Sequence, residues 1–112
     1  MSEPDMNLAS GIAAFEAKEF AKAFQFLSPL ANAGNAKAQY ALGLMYRAGT
    51  GIPIDSVRAY VWFNVAAAQG VSGAAAARDS VLGRLTPAEL LEAQAEARRM
   101  RETHIPKTVS AK

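Results

Sequence analysis

The chain has 112 residues, of which 51% are hydrophobic and 20% charged; it has a formal net charge of +2 and no cysteine. That length supports one domain, and the missing cysteine excludes a disulfide framework and any thiolate metal site. No apolar run approaches the length of a membrane span.

The polar stretch Ser2–Asp5 leads in, with Pro4 suited to a first helical turn. Leu8, Ile12 and Phe15 recur at helical spacing, so residues 5–18 read as the first helix. Residues 20–32 read as the second. Pro29 within it removes a backbone donor, so a kink rather than a stop is expected there, because Phe26, Leu30 and Ala33 keep the apolar spacing. Gly34 and Asn35 end this helix, Gly34 being free to take positive φ.

Residues 36–48 read as the third helix, with Gly43 at its middle. A glycine there costs about 1 kcal/mol relative to alanine, and close approach of a neighbouring helix's backbone is the expected compensation. Gly49-Thr50-Gly51-Ile52-Pro53 is a loop, and Ile52 is expected to tuck against the core. Asp55 or Ser56 caps a fourth helix that runs to about Gln69, with Ala59, Trp62, Phe63 and Ala66 as its apolar positions. Ser72 is expected to cap a fifth helix over residues 73–83. Thr86, Pro87 and Glu89 open the sixth with a complete capping box. Leu90, Ala93, Ala97 and Met100 line one face to about Arg101, and Glu92 and Glu96 lie on the opposite, solvated face. No segment alternates as a strand does. The connections are short, so successive helices should lie antiparallel.

The second half of the third-to-fourth helix unit recurs upstream. Ala23, Leu27, Ala31 and Gly34 fall onto Ala59, Phe63, Ala67 and Gly70 at a period of thirty-six residues. A fixed period of that size marks a helical repeat, whose units bury their apolar faces only by stacking on one another.

The unit from Ala36 to Gly70 resembles the Sel1-like repeat, a relative of the tetratricopeptide repeat. The resemblance rests on Ala36, Ala38, Gln39, Leu42, Gly43, Met45, Tyr46, Gly49, Gly51, Asp55, Ala59, Trp62, Ala66, Ala67 and Gly70, with Ile52 where the family's run has valine. The flanking units are degenerate. The implied fold is all-α, a short right-handed superhelix of three antiparallel helix pairs. Residues 1–104 would form one repeat domain and residues 105–112 a disordered basic tail.

The chemistry-bearing residues point away from catalysis. The sole histidine, His104, falls near the end of the last helix and reads as an exposed side chain at a fraying terminus. No serine or threonine has a histidine base in an ordered segment. Gly49-x-Gly51 lacks the lysine and the donors of a phosphate loop and reads as a structural turn. Glu16 with Glu19, and Glu89 with Glu92 and Glu96, are explained by solvated helix faces. Asp79 beside Arg78 suggests local pairing. No catalytic, cofactor or metal site is expected. Trp62 and Tyr46 coincide with packing positions of the resembled repeat, and are read as core.

Sel1-like proteins commonly serve as scaffolds, so the resemblance implies a non-enzymatic adaptor that binds a peptide or a partner helix. Some cysteine-rich members are linked to β-lactam recognition or hydrolysis, and the lack of cysteine sets this chain apart from them. In related superhelices the first helix of each pair lines the concave face. Lys37, Tyr40, Leu44 and Arg47, at i, i+3, i+7 and i+10 of the third helix, would then point into the groove. The alternative is that Tyr40 and Leu44 pack against the adjacent unit.

Two further functions are open. An apolar N-terminal end carrying Leu8, Ile12, Ala13 and Phe15 would suit homo-oligomerisation. Arg98, Arg99, Arg101, Lys107 and Lys112 stand against Glu102, leaving the C-terminal stretch +4 and the rest −2. That stretch could bind an acidic partner or nucleic acid, although no aromatic residue interleaves it. The acidic start Met-Ser-Glu-Pro-Asp has neither the basic nor the apolar region of a leader, which implies a cytoplasmic protein if the chain is whole.

Overall fold

The computed structural model describes residues 3–104. In order the elements are α1 (Glu3–Glu16), α2 (Phe20–Asn32), α3 (Ala36–Ala48), α4 (Ser56–Ala68), α5 (Ala74–Ser80), a short 3₁₀ turn (Leu82–Arg84) and α6 (Pro87–His104). No strand occurs among the described residues. The tail read as disordered, residues 105–112, lies outside them.

Local chemistry explains most of the boundaries. The Asn35 side chain accepts from the Ala38 amide at 2.9 Å and opens α3. Asp55 accepts from the Arg58 amide at 3.0 Å and opens α4. At α6 the capping box closes in both directions. The Thr86 amide donates to Glu89 Oε1 at 2.9 Å, and the Glu89 amide donates to Thr86 Oγ1 at 3.1 Å. Helix α2 continues through Pro29 to Asn32. Gly49 ends α3 at φ 74°, its amide donating to the Met45 carbonyl.

Five boundaries differ from the sequence expectation, the first being the start of α1, which lies at Glu3 within the stretch read as a polar lead-in. Helix α1 stops at Glu16, because Lys18 takes a left-handed conformation (φ 65°) and the Glu19 amide returns to the Ala14 carbonyl at 2.8 Å. Lys18 thus does at the end of α1 what Gly49 does at the end of α3. Helix α5 is not capped by Ser72; Gly73 precedes it at φ 85° with no side-chain cap. It also ends at Ser80 rather than near Gly83. The Ser80 hydroxyl donates to the Ala77 carbonyl at 2.6 Å, a local bond that competes with helix continuation. Helix α6 runs three residues past Arg101 because its end is held by tertiary contacts.

Packing begins at a small residue facing a large one. A β-carbon on Gly11 of α1 would lie 2.6 Å from Leu27 of α2, and one on Gly43 of α3 would lie 2.5 Å from the Phe63 ring of α4. Each pair therefore closes by seating a large side chain where the facing helix has only hydrogen. Leu27 and Phe63 are fully buried. They are the residues related by the sequence period, and the same contact recurs in both units. Close approach at Gly43 is as expected, although the intruding group is a ring rather than backbone. Ile52 is half-buried and packs against the core cluster that holds Leu27, Leu42, Met45 and Trp62, as its place in the loop suggested.

The third unit lacks this device. Helix α5 contains no glycine, and the buried residues of α6 are the alanines Ala93 and Ala97. Helix α6 accordingly packs on α4 more than on α5. The starts of α4 and α6 flank one groove, and their ends are joined by a hydrogen bond from Arg101 to Asn64 Oδ1, so the two helices run in the same direction.

A buried amide network locks this arrangement. Gln39, 0% exposed, donates to the Ala31 carbonyl at 3.1 Å and the His104 carbonyl at 3.0 Å. Gln69 donates to Gln39 Oε1 at 3.0 Å and the Gly34 carbonyl at 2.9 Å. Two side chains thus satisfy carbonyls at the ends of α2 and α6 and in the turn after α2. The His104 ring packs edge-on to Trp62, with centroids 6.0 Å apart. His104 is therefore half-buried and docked, not the exposed, fraying side chain its position suggested.

Two outcomes test this account. Gly43→Ala should cost about 1–3 kcal/mol in urea unfolding through overpacking against Phe63, and Phe63→Leu in the same chain should recover part of that loss. Gln39→Leu should cost about 2 kcal/mol by orphaning buried carbonyls, with amide exchange rising most over residues 101–104.

Candidate functional site

Helix α3 presents Lys37, Tyr40, Leu44 and Arg47 as its spacing requires, but the structure divides them. Lys37 is exposed and stands across a shallow groove from Leu8, Ala9, Ile12, Ala13 and Glu16 of α1, with a volume of about 450 Å³. Leu44 and Arg47 line a second hollow of about 380 Å³ with Phe15, Glu16, Lys18 and Phe20. Glu16 borders both. One furrow therefore follows the seam between α1 and α3.

Tyr40 lines neither hollow. Its ring sits 5.7 Å from that of Phe63, tilted by 52°, and its hydroxyl lies 3.6 Å from where a β-carbon on Gly73 would be. Arg47 is tethered as well as groove-lining. Its guanidinium lies 5.5 Å from the Phe63 ring centroid and donates to Ser80 Oγ at 3.1 Å. Its carbonyl accepts from Arg84 at 3.1 Å. Leu44 is half-buried against the core cluster that holds Phe63, Val65, Ala77 and Val81. Tyr40 and Arg47 thus bracket the ring that fills the Gly43 hollow, and Arg47 joins α3 to the end of α5 and the turn after it.

The furrow is amphipathic. Its apolar lining comes from Leu8, Ile12, Phe15, Phe20 and Leu44, and its charges are Glu16, Lys18, Lys37 and Arg47. Three cations against one carboxylate leave it +2. The α1 wall was not assigned to a groove from sequence, although its apolar period was legible. What one helix face shares with another two elements away is set by stacking.

Trp62, 5% exposed, is core, as its repeat position indicated. Half-buried Tyr46 packs edge-on against Phe24 at 6.0 Å and under the Arg58 guanidinium at 6.0 Å. Arg78 and Asp79 pair at 3.1 Å. Among the described residues no group of three His, Cys, Asp or Glu could hold a metal ion, and no helix is long and apolar enough to cross a membrane.

Stacked helix pairs with a recurring small-to-large contact define a helical-repeat protein of the α-solenoid class. Within that class, residues 36–71 match the family model of the Sel1 repeat. The chain is also similar to the crystal structure of c5321, a protective antigen present in uropathogenic Escherichia coli strains and displaying an SLR fold. The TM-score is 0.85 at 24% sequence identity, over 98% of this chain and 27% of that one. That likeness establishes the fold, and the chain spans about a quarter of the length of that protein. No curated protein matches the chain. Sel1 repeats are generally protein–protein interaction modules and typically non-enzymatic scaffolds.

The divided site makes a prediction about stability. Tyr40→Ala should lower stability by about 2–3 kcal/mol, since it strips an aromatic partner from Phe63. Lys37→Ala, at an exposed position, should stay within about 0.5 kcal/mol of the parent. Chemical denaturation of both variants checks the difference.

Proposed function

We propose that the chain is a non-enzymatic interaction module that holds a peptide or a partner's helix along the α1–α3 furrow, with Lys37, Leu44 and Arg47 on one wall. Tyr40 contributes from beneath by fixing Phe63 and hence the α3 wall. The observation that carries this reading is the pair of amphipathic hollows along the α1–α3 seam, which share Glu16 and together hold an excess of two positive charges. Apolar side chains supply contact area, while the cations favour a segment bearing carboxylates and repel a basic one.

Shallow, open walls suit a macromolecular segment better than a small metabolite, which needs a pocket that encloses most of its surface. The surrounding lysine and arginine side chains add orientation and encounter rate more than affinity.

Selection from a random peptide library displayed on phage tests the proposal. Recovered sequences should combine aliphatic or aromatic residues with Asp or Glu. Lys37→Glu should weaken their binding by about tenfold or more, equivalent to about 1.4 kcal/mol, while the melting temperature stays near that of the parent. Failure to recover any acidic peptide whose binding Lys37→Glu weakens would overturn the assignment.

A further inference from the structure

A second groove, of about 440 Å³, runs between α4 and α6, and its chemistry is the reverse of the first. Its floor is apolar, made by Val57, Val61, Trp62 and Met100. Its charged lining is Asp55, Glu89, Glu92 and Glu96, with the two cations Arg58 and Arg99. Four carboxylates against two guanidinium groups leave it at −2, in a chain whose formal net charge is +2. The three glutamates were read from sequence as a solvated outer face; they line this groove because α6 lies on α4.

We propose that the α4–α6 groove is a second interaction surface, taking an extended peptide segment in which an aliphatic side chain is flanked by lysine or arginine. Both cations of the groove are already committed to carboxylates of their own segments. Arg58 pairs with Asp55 at 3.5 Å and Arg99 pairs with Glu96. Glu89 is engaged through one oxygen with the Thr86 amide. Glu92 has no ion-pair partner among the described residues. An incoming cation therefore meets carboxylates whose neutralisation is incomplete, beside an apolar floor against which its own alkyl stem can lie.

The dimensions agree with a peptide. From Glu89 to Met100 the α6 wall extends about 16 Å, which accommodates about five residues of extended chain. Glu89, Glu92 and Glu96 are spread along that wall as one stripe. No three acidic groups among the described residues converge as a metal cage would require. An anionic ligand is disfavoured by the net charge, and a purely apolar one leaves the carboxylates without a counter-charge. The +2 furrow between α1 and α3 repels the same basic segment, so the two grooves select opposite sequences.

The chain carries its own reporter, because Trp62 is its one tryptophan and lines this groove. Acetylated, amidated peptides with Lys and Arg flanking Leu at spacings of one to three residues, and matched peptides with Glu in place of Lys and Arg, are titrated into the full chain. Trp62 fluorescence is followed throughout. At least one basic peptide should give a saturable change that weakens as salt is raised, and the acidic set should give none. Glu92→Lys should weaken the basic peptide by at least about tenfold, with unchanged helical circular dichroism. Lys37→Glu, in the other furrow, should leave its affinity alone.

Equal response to acidic peptides, no response to any basic one, or indifference to Glu92→Lys overturns the proposal. So does a gain in basic-peptide affinity on Lys37→Glu, which would move binding to the α1–α3 seam. The chain's own segment 105–112 contains Ile105, Lys107, Val109 and Lys112 and is a rival occupant. If Lys107→Glu with Lys112→Glu raises basic-peptide affinity about tenfold or more, the groove belongs to that segment and a partner peptide is excluded.

Discussion

Helix pairs in this protein close where a glycine on one helix faces the bulk of a side chain on the other. Leu27 meets Gly11, and Phe63 meets Gly43, at separations that leave no room for a β-carbon in place. The cost of a glycine inside a helix is offset by burial of a whole leucine or phenylalanine side chain. Everything further out depends on those two contacts. Tyr40 and Arg47 hold the Phe63 ring from the far side, so the same ring that closes one pair also links it to the next. The units differ in one respect: the turn between α1 and α2 spans residues 17–19 and that between α3 and α4 spans 49–55. The extra residues carry the Gly-x-Gly loop and the half-buried Ile52, and they shift the glycine without disturbing the pairing.

Where the glycine contact is missing, the architecture changes. In the third unit α5 contains no glycine and α6 buries only alanines, so there is neither a hollow nor a large side chain to fill it. Helix α6 is released from α5 and lies along α4. Its buried contacts there are Ala93 and Ala97, both 0% exposed. Such a thin contact needs an anchor at its end, and the Gln39–Gln69 network supplies it by receiving the His104 carbonyl. A buried amide is tolerable only when its hydrogen bonds are made. Gln39 makes its bonds to groups that come together only when α2, α3, α4 and α6 are all in place, so the network ties three units into one.

The consequence for function is two grooves of opposite sign. Stacking α1 beside α3 gathers Lys18, Lys37 and Arg47 along one seam. Laying α6 on α4 gathers Asp55, Glu89, Glu92 and Glu96 along another. A chain of modest net charge thereby carries two separated fields, each over an apolar floor. Each groove favours a segment of opposite charge before contact area is counted.

The amino-acid sequence by itself determined the elements and the repeat. Residues 20–32 and 36–48 were legible to the residue, because caps, glycines and apolar period act within a few positions of the chain. The Thr86–Glu89 box and the Asp55 cap were legible for the same reason. Gly43 announced a close neighbour, and the period related Leu27 to Phe63, but that these two side chains fill the glycine positions was not legible. Only the tertiary structure decided what shares a groove. Lys37 faces Glu16, Tyr40 turns inward to Phe63, and the stripe of Glu89, Glu92 and Glu96 becomes a groove wall rather than an outer surface. Local signals specify a helix and its ends; the position of α6 depends on contacts absent from α5 and on an amide of Gln39 sixty-five residues away. Spacing along one helix cannot encode which partner a long-range contact will choose, because that choice is made by summed burial across several elements.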